Sequence, residues 1–368
     1  CTVSDPVLVH GAPSVHLGTD AVDAWVTLDG AHLAPVTFHG DGREASPYAL
    51  APWLPDERAN DPHLLDTMRG DFLCLPFGAQ DGGPLHGDPA NGMWSVLSQD
   101  AGRVTLAIDT QDTHAHIEKT VSLRPGDLAV YQEFRITGLD GDFNYGTHPI
   151  IDFSGMSPGA ARVSTSSMRW CSVFPGVFSD PANGETQVLS PGAVFEDLVV
   201  PRIDGGTLDL SRYPTEPGHE DLVMLVNDPS AGPIGWSAAV LDGYVWFALK
   251  AIADFPATLL WVSNGGRTRP PWSGRHLGRM GIEDVCSHFA DGLESARADR
   301  LADLGIRTTR RFRADEPVTL RVAHGVAFTP PGFDRVAEID LSSPGIATLR
   351  DDAGRTATTR IDGQFVLD

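Results

Sequence analysis

Positive charge is in short supply in this sequence: 27 lysines and arginines stand against 49 aspartates and glutamates, a formal net charge of −22 with histidine neutral. A surface of that sign repels phosphate backbones and anionic lipid, so nucleic acid and membrane faces are not expected partners, while a neutral ligand is unaffected. Long apolar runs are also missing. None approaches the roughly 18 residues a membrane-spanning helix needs, and no charged-then-apolar leader is visible, so a cytoplasmic protein with no membrane span is expected. Cysteine is scarce: Cys1, Cys74, Cys171 and Cys286 lie far apart and lack the paired spacing of a metal site, so buried thiols are expected. The alternative at Cys1 is a processed lipoprotein end. No repeat of 20 to 50 residues is visible, which argues against a propeller or solenoid.

The 368 residues are 41% hydrophobic and 21% charged, the balance of a globular chain with a sizeable core. The 39 glycines and 28 prolines recur between short apolar runs instead of gathering in one linker. Val15 to His39 alternates apolar and polar residues around Gly30, a hairpin pattern. Regular alternation resumes at Arg103 and continues in runs such as Leu128 to Ile136, Trp236 to Leu241, Tyr244 to Leu249 and Ala257 to Val262. Ala45 to Asp66 reads as a long loop with one helical turn. A helix is expected from about Phe289 to Leu304, with Gly305 able to stop it. Together these features predict an all-β protein, a large antiparallel β-sandwich with few short helices, forming one domain over 1–368 with 330–368 as a C-terminal extension.

Four stretches place polar groups in unusual settings. Met68 to Gly78 is apolar with Arg69 at its mouth. Leu85-His86-Gly87-Asp88 follows a glycine-rich loop. In Thr147-His148-Pro149, the proline pushes His148 toward the extended region and places it with Ile150 and Asp152 on one strand face. In Gly281-Ile282-Glu283-Asp284, strand alternation lets only one of the two carboxylates face a given cleft.

The order and spacing of these stretches, over roughly residues 15 to 328, resemble the aldose 1-epimerase (galactose mutarotase-like) superfamily. The resemblance implies its large antiparallel β-sandwich, a supersandwich, and an enzyme that interconverts sugar anomers by acid–base ring opening. It implies Glu283 as base, His148 as acid and His86 near the ring oxygen. It also implies Arg69 and Asp221 as residues that hold sugar hydroxyls, with Glu220 competing for the second place. Trp272, in the loop leading to Glu283, is the best aromatic platform for a sugar ring.

The chemistry gives these residue types a reason. Opening a pyranose removes a proton from the anomeric hydroxyl and delivers one to the ring oxygen, two atoms on the same carbon, so an acid and a base must face each other. No cofactor and no metal are needed. A Glu283 carboxylate beside His148 is expected to favour the imidazolium form. Two features depart from the family pattern, Asp88 and Asn91 after His86-Gly87 and Thr147 before His148, and Asp88 is expected to alter which sugar fits. Epimerisation, lysis or hydrolysis of a modified sugar, and carbohydrate binding without turnover, remain the alternatives. A small-molecule carbohydrate is the expected partner, and a homodimer is left open.

Blander readings apply elsewhere. His114, His116 and Glu118 could share a strand face with metal-like spacing, but solvent is the expected neighbour. Asp81-Gly82-Gly83 and Asn264-Gly265-Gly266 read as turns, not phosphate loops. Cys74 lies in an apolar run and reads as core, not nucleophile.

Overall fold

The computed structural model describes residues 5–54 and 62–368. Cys1 and residues 55–61 of the long loop lie outside the described residues.

Short apolar runs punctuated by glycine and proline become strands because each run is long enough to cover one sheet width and then meets a residue suited to turning. The first five strands, from Val7–Val9 to Arg43–Ala45, form an antiparallel sheet in sequence order. The turn expected around Gly30 joins Val22–Thr27 to Leu33–Gly40, and Gly30 adopts φ +71°, a conformation that costs glycine little.

Two larger sheets carry the rest. A nine-stranded sheet runs from Arg212–Tyr213 at one edge through Ile234–Val240, Tyr244–Ala251, Val318–Phe328 and Ala129–Thr137 to Ser95–Asp100 at the other. A seven-stranded sheet places Met168–Val173, His219–Asn227, Ala257–Asn264 and Arg279–Cys286 side by side, followed by Tyr145–Thr147 and Leu73–Cys74. The strand Ile150–Asp152 pairs with the other half of Arg279–Cys286. The fold is the expected large antiparallel sandwich.

Period-two alternation sorts residues between layers. Val223, Leu225, Leu260, Val262, Met280 and Ile282 face the nine-stranded sheet and join Trp246, Leu320 and Val322 in the main core. Leu222, Met224, Val226, Leu259, Trp261 and Val285 point the other way, into a second cluster with Trp53, Phe72 and Phe77. The C-terminal residues form a three-stranded sheet of Val336–Asp340, Ile346–Asp351 and Thr356–Arg360. It packs Val336, Ile339, Leu349 and Ile361 on the outer face of the nine-stranded sheet, against Tyr131, Val245, Phe247 and Leu249.

The expected helix over 289–304 is corrected. An α-helix spans only Leu293–Arg297, and a separate 3-10 turn covers Ala302–Leu304. Asp299 between them has φ +51°, which breaks the helical path, and Leu304 is exposed, so the apolar spacing does not line one buried face. Gly305 does end the 3-10 turn, in the left-handed conformation. A second short helix, Gly87–Asn91, carries no apolar periodicity in the sequence. His114 has φ +55° in a turn before the strand His116–Ser122, so it does not share a strand face with His116 and Glu118.

Candidate active site

The site lies on the outward face of the seven-stranded sheet. Glu283 stands on the strand Arg279–Cys286 opposite Leu259, which in turn pairs with Met224. Its neighbour Asp284 faces the sandwich interior, where Lys250 Nζ pairs with it at 2.8 Å. One residue of offset thus puts the two carboxyls on opposite faces of the sheet.

His148 reaches Glu283 because the strand beside it is interrupted. Tyr145 and Gly146 pair with Cys286 and Val285, and Ile150 resumes pairing at Gly281. Between them Pro149 has no N–H for the ladder, and the His148 N–H turns away to Phe72 O at 3.0 Å and Asp71 Oδ1 at 2.8 Å. The imidazole then lies over the sheet with Nε2 3.2 Å from Glu283 Oε1, both side chains almost wholly buried. Among the described residues no hydrogen-bond partner reaches His148 Nδ1.

His86 completes the group. Its ring centre is 5.0 Å from that of His148 at 87°. The Gly78 N–H donates to His86 Nδ1 at 3.1 Å, so the neutral ring carries its proton on Nε2. His86 itself has φ +64° and is followed by Gly87 at +75°. A Cβ on Gly87 would collide with the Leu75 carbonyl, so glycine is what lets this turn press the histidine against the sheet.

Burial sets the protonation states. Desolvation holds His148 down to about 3 and pushes Glu283 well above the usual carboxylate range. His86 is lowered by burial and by the neighbouring His148 and His32. The expected imidazolium is therefore corrected: burial outweighs the attraction between the two groups, so the His148 imidazole is neutral at neutral pH and the Glu283 carboxyl is driven toward its acid form.

Two of the expected sugar-holding residues are placed elsewhere. Arg69 is buried, and its guanidinium donates to the carbonyls of Thr67, Val9 and His10 at 2.8–2.9 Å. These bonds tie down the N-terminal strand. Asp221 faces the sandwich interior, where it pairs with His219 Nδ1 at 2.6 Å and accepts the N–H groups of Val188 and Leu189. By strand alternation it is Glu220 that shares the Glu283 side of the sheet. Asp88 accepts from Gln111 N and Asp112 N, so it fastens a loop.

Glu220 Oε1 accepts from Ser263 Oγ at 3.0 Å and Gly266 N at 3.2 Å, and its Oε2 accepts from Trp261 Nε1 at 3.2 Å. Burial pushes this carboxyl up to about 7 against the pull of Arg267 and of those hydrogen bonds. Ser263 Oγ also bonds His276 Nδ1 at 2.6 Å. Trp261 stacks on His276 at 5.5 Å and stands edge-on to His148 at 5.6 Å, joining the two groups. Trp272 belongs to the same wall, edge-on to Trp53 at 4.9 Å, with the Arg267 guanidinium 4.5 Å from its ring centre. Ser263, His276 and Arg267 were not singled out from sequence, whereas Glu220, the expected competitor of Asp221, is the one that shares the Glu283 side of the sheet. The signal that could have found Glu220 is the parity of His219–Asn227, where Leu222 and Met224 share its face.

Among the described residues no group of three or more His, Cys, Asp or Glu side chains could hold a metal ion. A groove of about 1130 Å³ lies elsewhere, between the C-terminal sheet and residues 164–171, and its lining includes no histidine.

No protein-family model and no curated protein sequence matches this chain. Solved structures do. A galactose mutarotase related enzyme from Lactobacillus acidophilus superposes with a TM-score of 0.55 at 11% identity, covering 85% of this chain and 97% of that one. A galactose mutarotase-like protein from Lactobacillus casei gives 0.55 at 15% identity, covering 85% and 99%. With the antiparallel sheets and their order described above, these superpositions show that the chain has the galactose mutarotase-like fold.

Proposed function

We propose that this protein interconverts the anomers of an aldose by acid–base ring opening, with Glu283 and His148 as the proton-exchanging pair. The observation that carries this reading is the 3.2 Å contact between His148 Nε2 and Glu283 Oε1 in a buried, aromatic-walled site, with His86 beside it. A hemiacetal entering between the two groups replaces their mutual contact. This reading exchanges the expected roles: neutral His148 takes the proton of the anomeric hydroxyl, and Glu283, whose carboxyl burial drives toward the acid form, gives one to the ring oxygen as the C1–O5 bond breaks. The aldehyde turns about C1–C2, and the same two protons return as the ring closes on the other face. His86 Nε2–H is a donor suited to the ring oxygen, and Glu220 is an acceptor suited to a sugar hydroxyl. Trp261 and Trp272 offer flat faces to the C–H side of the ring. The fold and the galactose mutarotase naming of one structural neighbour agree with this reading.

Polarimetry or saturation-transfer NMR on a panel of freshly dissolved aldoses tests it. Wild-type protein should speed anomer exchange of at least one sugar, and Glu283→Gln and His148→Asn should each lower that rate by about 10² to 10⁴. Tight sugar binding with unchanged exchange would instead make this a binding protein, and a new unsaturated product would make it a lyase.

A further inference from the structure

Behind the candidate pair, inside the sandwich, Asp71 is fully buried and both of its oxygens are used. Oδ1 accepts the His148 backbone N–H at 2.8 Å, and Oδ2 accepts from Gln132 Nε2 at 2.5 Å. Gln132 belongs to the strand Ala129–Thr137 of the opposite sheet, so this carboxyl spans the core from one large sheet to the residue that carries the imidazole. The next residue works on the same target. The Phe72 ring stacks on His148 with 4.7 Å between centres and 17° between planes, and its carbonyl shares the His148 N–H.

A carboxyl in this place is costly unless it is compensated. The buried Lys119 ammonium, hydrogen-bonded to Ala31 O at 2.8 Å, is the nearby cation whose field favours the charged form of Asp71. His324 Nδ1 lies 3.9 Å from Asp71 Oδ2 and 2.7 Å from the Tyr48 hydroxyl. A neutral acceptor such as a backbone carbonyl would meet the His148 N–H without this supporting set. What the carboxyl adds is a rigid brace between the two sheets at the one place where the ladder beside Glu283 is broken.

We propose that Asp71 is a positioning residue: acting through the backbone of His148, it fixes the distance and angle at which the imidazole meets Glu283. The proposal rests on reading Glu283 and His148 as the proton-exchanging pair, and it names a residue on the far side of the sheet from the cleft.

The test compares Asp71→Asn, which keeps the side-chain acceptor for His148 N–H, with Asp71→Ala, which leaves that N–H only the Phe72 carbonyl. Asparagine fits because Gln132 can flip its amide, and Gln132 Oε1 has no partner among the described residues. Anomer exchange gives kcat and KM, and ¹⁵N NMR gives the His148 ring resonances. We expect Asp71→Asn to stay within about threefold of wild type, while Asp71→Ala lowers kcat about 10- to 100-fold with KM within about twofold and shifts the His148 Nε2 resonance. Equal loss in both variants, or unchanged kcat in Asp71→Ala, overturns the proposal. If Asp71→Ala does not fold, Gln132→Met replaces it in both readouts, with a loss in kcat of about three- to tenfold expected and no change overturning the idea. If wild-type protein exchanges no anomers, the functional reading fails separately. The positioning role is then judged on the ring resonance alone, and an unshifted Nε2 overturns it.

Discussion

The Glu283 carboxyl folds back over Gly281, two residues earlier on the same strand face, so that a Cβ at 281 would overlap Glu283 Oε1 and lie 3.2 Å from Trp261 Cβ. The glycine leaves the room in which the carboxyl turns toward His148. Because the obstructed atom is the tip of a flexible side chain, Gly281→Ala should cost little stability, within about 1 kcal/mol, while moving the carboxyl off Nε2. Thermal unfolding and anomer exchange measured together check this. The expected result is a near-normal midpoint with exchange reduced at least about tenfold; a fully active variant would show that the carboxyl does not need this space.

Glu220 and Asp221 separate binding from folding. Glu220→Gln keeps the shape of a cleft residue and should raise KM for the sugar several-fold with a small change in unfolding midpoint. Asp221→Asn weakens the buried contact to His219 and the bonds from Val188 and Leu189. It should cost about 2 to 4 kcal/mol, because the partners left behind are buried, while KM for the remaining folded protein stays near normal. The reverse pattern would exchange the two assignments.

Acid should destabilise the fold, and the sign follows from counting protons. His32 and His148 are held down to about 3 and His324 to about 4, and His86 and His276 are also lowered, all chiefly by burial. Their contribution is fully present above the unfolded value near 6.5 and is lost as pH falls toward the folded values. Glu283 and Glu220 are raised, the latter to about 7, and Asp71 is raised to about 6, again chiefly by burial. These carboxyls act oppositely, since the folded protein holds protons that the unfolded chain has released. Between about pH 4.5 and 6 the five lowered histidines outnumber the three raised carboxyls, so acidification costs net stability. Urea unfolding at pH 6 and pH 5 measures it; a midpoint that rises at pH 5 contradicts the count. An NMR titration should likewise find the His148 ring neutral at pH 5.

We propose that residues 330–368 are an integral extension of a single domain. They bury Val336, Ile339, Leu349, Ile361 and Val366 on the sandwich, and Arg124 pairs with Asp362 and Arg162 with Asp334, each at 2.7 Å. Full burial of one such aliphatic side chain is worth about 1.5 to 3 kcal/mol, so exposing several of them together with the sheet face beneath them rivals a whole domain's stability of about 5 to 15 kcal/mol. A chain ending at Pro330 should aggregate or unfold without cooperativity. A truncated protein with the full-length midpoint would make the extension dispensable.

The sequence by itself determined the alternation and the punctuation. Runs such as Ala257 to Val262 are strands whichever sheet they join, because period two and the bounding glycines and prolines are local properties. The same locality determined that Glu283 and Asp284 point to opposite faces, but the break in pairing at His148 and Pro149, where one strand was expected, was decided by the tertiary structure. The helix over 289–304 was misread because apolar spacing does not say whether both ends of a segment find a core. Which face is cleft and which is interior was decided only by the tertiary structure. Arg69 met the N-terminal carbonyls, Asp221 met His219, and Glu220 was left facing Trp261, because each outcome depends on what packs against the strand from far along the chain. The protonation of the His148–Glu283 pair was decided there too: charge attraction can be read from residue types, but the desolvation that overrides it exists only once other residues have closed over both groups.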